Sequence, residues 1–172
     1  VRSMFRAAFG IITGDSSAGG GSTLTQQLIK NNIFEGGNED TFGEKLERKI
    51  QEQYLAIQLE KIMDKKIILK NYLNTINLGN NTLGVKAAAL RYFDKDVSEL
   101  TLSEATVIAG ITQNPSRFNP LSENGRKRNE EKRRVILQYM YEQGKITKDE
   151  QEEALADDVY SRIKNVDICL LY

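Results

Sequence analysis

Apolar residues along this chain recur every three to four positions, in runs broken by glycine, proline or short polar stretches. That spacing predicts helices nearly throughout. A first helix is expected over about 2–12, ending near Gly14, and the glycine- and serine-rich stretch 15–21 reads as a loop. Ser22 or Thr23 should cap a second helix, with Thr23 and Gln26 in the positions of a capping box. Residues 35–43, with three glycines and three acidic residues, read as a mobile surface loop. A long helix over about 44–63 and another over about 65–78 follow, the latter ended by Gly79 in a C′ role. Shorter helices fit at about 84–92, 102–112, 121–143 and 147–157, two of them with the Thr101/Glu104 and Thr147/Glu150 capping boxes. No period-two run is long enough for a convincing strand, although a short hairpin in a connection would leave no such trace. The helix–turn–helix rhythm has no 34-residue period, which speaks against a tetratricopeptide array.

Within the apolar pattern, Leu46, Ile50, Tyr54 and Ile57 form one side of the long helix, and Leu55 and Leu59 lie near another. The helix should therefore be buried on more than one face. Leu69, Tyr72, Leu73 and Ile76 have core spacing, and Asn74 is the polar exception among them, placed to hold a loop. At 172 residues the chain has room for one domain with a proper core. The helical domain is expected over 1–157, with 158–172 a linker or the start of a following domain.

Charge narrows the chemistry. Lys and Arg number 24, as do Asp and Glu, so no global field recruits nucleic acid. The run 126–134 holds six cations in nine residues and reads as a solvated helix face; no aromatic interleaving supports a nucleic-acid patch. The absence of histidine removes Ser-His-Asp and Cys-His catalysis and every His-based metal site in the chain. The single cysteine, Cys169, excludes an internal disulfide. Acid–base work would fall to carboxylates, lysines or tyrosines.

Two polar clusters stand where an apolar stripe would normally run. Thr23, Gln27, Lys30 and Asn31 share one face of the second helix, behind the glycines 19–21. Backbone N–H groups at a helix start with a nearby lysine suit a phosphate; a solvated, capped face is the alternative. On the long helix, Arg48, Lys49 and Glu52 bring two cations to one carboxylate. They form either a structural ion pair or a site acid with its partners.

These segments resemble the peptidoglycan glycosyltransferases, family 51 of the glycosyltransferases. Gly20-Gly21-Ser22-Thr23-Leu24-Thr25-Gln26-Gln27-Leu28-Ile29-Lys30-Asn31 is similar to the family's second motif, G-G-S-T-x-T-Q-Q-x-x-K-N. Arg48, Lys49, Glu52, Ala56, Leu59 and Glu60 match the third motif. Ile68, Leu69, Tyr72, Leu73 and Asn74, with Gly79, Gly84, Ala88, Ala89, Tyr92 and Phe93, match the fourth. Leu102-Ser103-Glu104-Ala105, Ala109-Gly110 and Asn114-Pro115-Ser116 resemble the fifth. The resemblance spans about residues 1–145, with four motifs in order.

It implies a mostly α, lysozyme-like helical domain with a smaller jaw-like lobe, into which 32–43 would fall. It implies an enzyme that polymerises lipid II: an acceptor 4-hydroxyl attacks the anomeric carbon of the growing glycan chain, with inversion and release of undecaprenyl pyrophosphate. Lys30, Arg48 and Lys49 are then the pyrophosphate-facing cations, and Thr23, Gln27 and Asn31 the adjoining substrate contacts. Glu52 is the family's second glutamate, orienting those groups or a metal, and Asn74 is structural. A divalent cation such as Mg2+ assists some members, but no ligand set here demands one. The place of action would be the outer face of the bacterial cytoplasmic membrane, reached through an N-terminal anchor, and a transpeptidase domain is an expected C-terminal partner. The first motif, E-D-x-x-F-x-x-H, carries the glutamate usually assigned as general base and has no counterpart in these residues. The chain as given is therefore expected to be truncated before that motif and inactive. The rival readings are a lysozyme-like enzyme cleaving the same polymer, which needs paired carboxylates, and a non-catalytic cell-wall scaffold module.

Overall fold

A computed structural model describes residues 22–34 and 40–166. The predicted helix over 2–12, the glycines 19–21, and Cys169 lie outside them. Among the described residues there are seven α-helices and no strand: α1 (Leu24–Ile33), α2 (Phe42–Ile62), α3 (Lys65–Thr75), α4 (Gly84–Phe93), α5 (Leu102–Ile111), α6 (Glu123–Glu142) and α7 (Lys148–Ala156). The mostly α expectation holds. No described helix is long and apolar enough to cross a membrane. The chain forms two compact units, 1–75 and 76–172.

In the first unit α1 packs against both α2 and α3. Its buried seam is built from Leu28 and Ile29 of α1, Ala56 of α2, and Ile68 and Tyr72 of α3. Local sequence sets the starts: Thr23 caps α1 and Thr41 caps α2, each in a complete capping box, with Gln26 and Glu44 returning the bond. The predicted loop over 35–43 therefore gives way to helix at Phe42.

Two core expectations change. On α2, Leu46, Ile50, Tyr54 and Ile57 are 44–63% exposed, and Phe42 is exposed with them. The helix buries only Glu52 and Ala56. Periodicity identified an apolar face but not a partner for it, and no described element of the unit covers that side. On α3, Ile68 takes the buried position and Leu69 is exposed. Asn74 is exposed and its side chain makes no hydrogen bond among the described residues.

The second unit opens with a turn where the sequence had predicted helix to Leu78. Gly79, Asn80 and Asn81 all take positive φ, and the chain folds back so that the Leu78 amide donates to the Thr82 carbonyl at 2.9 Å. A single antiparallel bridge joins Asn77 and Leu83. Tyr92, fully buried on α4, donates to the Leu78 carbonyl at 2.7 Å and ties the turn to the helix.

α5 is the central helix, burying Ser103, Glu104, Thr106, Val107, Ile108, Gly110 and Ile111. The basic run on α6 is only partly a solvated face. Arg133 is 2% exposed; its guanidinium donates to Ser103 Oγ at 3.0 Å and to the Ala154 carbonyl at 2.6 Å, and sits over the Tyr160 ring. Asn129 is buried beside it and binds the Val107 and Phe118 carbonyls. A charge count along the run cannot separate these two from their solvated neighbours; the i, i+4 spacing of Gly125, Asn129, Arg133 and Leu137 does.

The stretch read as linker is packed as far as it is described. Val159 and Tyr160 are buried, Tyr160 donates to Asn129 Oδ1 at 2.7 Å, and the amides of Lys164 and Val166 bind the carbonyls of Tyr92 and Arg91. Arg162 makes a two-pronged pair with Asp157 and reaches Glu104, which Lys95 also holds through both oxygens at 2.8 and 2.9 Å.

Burial would raise the Glu104 carboxyl, but hydrogen bonds from Lys95, the Thr101 amide and Arg162 outweigh it and hold the pKa below its usual value. A carboxylate depressed on folding contributes stability above its unfolded pKa and loses it as pH falls through the folded one. Urea unfolding of the second unit should show stability declining with acid below about pH 4. Glu104→Gln should remove part of that dependence; an unchanged acid slope would place the linkage elsewhere.

Candidate functional site

The first unit carries the polar clusters. α1 begins at the Thr23 cap, whose hydroxyl accepts from the Gln26 amide while the Thr23 amide donates to Gln26 Oε1 at 2.8 Å. Thr23 is thus occupied in capping. No acidic residue stands in the first turn of α1, so its partial positive end is not neutralised locally.

Facing that helix, α2 presents Arg48, Lys49 and Glu52 within one turn. Glu52 is 1% exposed. Arg48 donates to its Oε1, and Lys49 Nζ lies 2.7 Å from its Oε2. Lys49 Nζ also lies 3.3 Å from Ser22 Oγ, just ahead of the α1 cap. Lys49 thus stands next to a helix end whose first turn carries no acidic residue. Both oxygens of Glu52 are engaged, so its geometry is that of a residue holding two cations in place.

A second contact fixes α1 against α2. Thr25, buried in the seam, donates to Glu60 Oε1 at 2.6 Å. On the other side Gln27 Oε1 lies 3.4 Å from the Tyr72 hydroxyl, and Asn32 donates to the Leu28 carbonyl and to Thr75.

Of the residues named from sequence, the structure joins Arg48, Lys49 and Glu52 directly. Thr23 and Gln27 lie on the same helix as Ser22's neighbouring cap, and Lys30 is half-buried in the last turn of α1, about 10 Å along the axis from Thr23. Lys30 makes no ion pair and the Asn31 side chain no hydrogen bond among the described residues. The glycines expected to frame the helix start fall outside them. Sequence reasoning passed over Ser22, Tyr72 and the Thr25–Glu60 pair as site-shaping residues. All four are fixed letters of the motifs, but spacing within one helix does not reveal a contact between helices.

Among the described residues no group of three Asp, Glu or Cys side chains could hold a metal ion, and the Glu52 oxygens are already shared by Arg48 and Lys49.

Comparison with known proteins settles the family. The transglycosylase family matches residues 1–141. The chain belongs to it. Penicillin-binding protein 1A of Vibrio cholerae is 41% identical over 163 residues, covering 95% of this chain and 19% of that protein. Penicillin-binding protein 1A of Clostridium novyi is 42% identical over 150 residues, covering 86% of this chain and 17% of the relative. Among solved structures, the crystal structure of penicillin-binding protein 1A from Haemophilus influenzae aligns with a TM-score of 0.51 at 32% identity, over 84% of this chain and 17% of that one. The chain thus spans under a fifth of the length of these relatives.

Removing the carboxylate should expose what it does for the transglycosylase fold. Glu52→Ala leaves Arg48 and Lys49 facing each other without their shared anion, and breaking a buried pair costs about 3–5 kcal/mol. Denaturant titration should show the first unit losing stability on that scale. A loss below about 1 kcal/mol, the range of surface pairs, would mean that the cluster is solvated.

Proposed function

We propose that this chain supplies the leaving-group side of a peptidoglycan glycosyltransferase, polymerising lipid II into glycan strands with inversion and release of undecaprenyl pyrophosphate. One observation carries the reading: Arg48 and Lys49 are locked by a buried carboxylate beside the uncompensated start of α1. When the anomeric carbon is attacked, negative charge builds on the departing pyrophosphate. Preorganised cations stabilise that charge without having to reorganise as it forms. Ser22, ahead of the α1 cap, and Gln27 and Lys30 along α1 add donors beside Lys49 of α2, which lies against Ser22. The acceptor hydroxyl must also lose a proton, and Glu52 is engaged on both oxygens, so the base lies outside this cluster. A glycan-cleaving reading would need two separated carboxylates flanking the bond, and the cluster has one. The reading puts the reaction at the outer face of the bacterial cytoplasmic membrane, with the growing glycan chain and a transpeptidase domain as partners.

Three outcomes test this. In the complete reading frame, Lys30→Ala and Lys49→Ala should each cut lipid II turnover at least tenfold, about 1.4 kcal/mol of transition-state stabilisation; turnover within twofold of the parent would remove that residue from the site. The charge swap Arg48→Glu with Glu52→Arg should restore thermal stability lost in Glu52→Ala while leaving the enzyme inactive. Full activity in the swap would reduce the pair to a structural one. The 172-residue chain alone should make no polymer, since a positioned general base is worth about 10²–10⁴-fold. Polymer formed by it at a rate near that of the complete protein would show that a carboxylate within these residues serves as base.

A further inference from the structure

A primary amide is ambiguous: it can turn either its oxygen or its NH2 toward a ligand. Gln27 stands midway along the polar stripe of α1, half-buried, between the Ser22 hydroxyl and the Lys30 ammonium. Its Oε1 is 3.4 Å from the hydroxyl of Tyr72. Tyr72 is 6% exposed and sits in the seam that α3 makes with Leu28 and Ile29 of α1, so its ring has little freedom. Burial raises the phenol above its usual value, which keeps its proton in place at any pH where the protein functions.

We propose that Tyr72 is a positioning residue that holds the Gln27 amide with its oxygen turned inward and its NH2 presented to the oxygens of the bound lipid-linked pyrophosphate. The proposal rests on the leaving-group reading above. It adds the Gln27 NH2 to the donors at hand, the Ser22 hydroxyl and the ammonium groups of Lys30 and Lys49. An anion rich in acceptor oxygens suits such a set of donors. A reversed amide would set its carbonyl against those oxygens and leave the buried phenol without an acceptor. At 3.4 Å the phenol–amide bond is long, so its effect is to choose the amide's orientation rather than to hold the helices together. Packing of α1 on α3 depends on the ring, and the orientation of Gln27 depends on the hydroxyl. The two roles are separable.

Steady-state kinetics with lipid II, in the complete reading frame, separates them. Tyr72→Phe keeps the ring and should raise KM for lipid II three- to tenfold with kcat within twofold and an unchanged melting temperature. Gln27→Met removes the amide from the half-exposed side of α1 and should raise KM at least as much. In the Gln27→Met background, adding Tyr72→Phe should change KM no further. Gln27→Glu, which replaces the outward NH2 by an oxygen, should lower kcat/KM more than either. An unchanged KM in Gln27→Met, or a Tyr72→Phe effect that persists undiminished in that background, overturns the positioning role. If Tyr72→Phe lowers the melting temperature, the Gln27→Met and Gln27→Glu pair still decides, because neither alters the seam. Lys49→Ala, measured alongside, distinguishes the two levels of failure. Loss of turnover there with flat Gln27 and Tyr72 variants sinks only the positioning role, whereas undiminished turnover in Lys49→Ala sinks the leaving-group reading itself.

Discussion

The arrangement of the first unit depends on one buried carboxylate. Glu52 lies at the point where α2 meets α1, almost without solvent, and an isolated charge there would be expensive. Arg48 and Lys49 remove that penalty, and in return their ammonium and guanidinium groups are fixed on one turn of helix. A carboxylate so placed does for charge what a hydrophobic side chain does for volume: it dictates where its neighbours must be. Lys49 then extends the constraint to α1 through Ser22, and Thr25 repeats it further along through Glu60. α1 is thereby held against α2 by two polar contacts as well as by Leu28, Ile29 and Ala56.

The second unit solves a related problem differently. Arg133 and Glu104 are both buried, yet they do not pair with each other. Arg133 donates to Ser103 and to the end of α7, while Glu104 collects Lys95, the Thr101 amide and Arg162. Each draws a different element onto α5, and the segment 158–166 is bound by both arrangements. Here buried charges join helices to one another and to the segment that follows them.

How much of this was legible in the sequence follows from the range of the signal. Helix starts at Thr23, Thr101 and Thr147 were readable because a capping box is local, each acting on a residue three positions on; the same box at Thr41 lay inside the stretch read as loop. The turn at 79–81 was misread because Gly79 is equally at home ending a helix and opening a turn, and Asn80 and Asn81 decide between them only through their positive φ. The exposed face of α2 and the burial of Arg133 were misjudged for another reason. Periodicity says which residues share a face, and nothing in it names the element that will lie against that face. Within the candidate site the same boundary holds. Arg48, Lys49 and Glu52 were found because they are neighbours on one helix, whereas Ser22–Lys49, Thr25–Glu60 and Gln27–Tyr72 join residues 27 to 45 positions apart.

Those longer contacts explain why motifs so far apart in the chain are read together. The serine, threonine and glutamine of the second motif are each bonded to a residue of the third or fourth. A substitution in one motif therefore changes the setting of another, even where the substituted side chain never meets a ligand. Each bond also engages the inward side of its residue. Ser22 is met by a cation, Thr25 gives its proton to Glu60, and the Gln27 oxygen faces the Tyr72 hydroxyl. The contacts that hold the helices in register thus also decide which side of each polar residue is engaged within the protein.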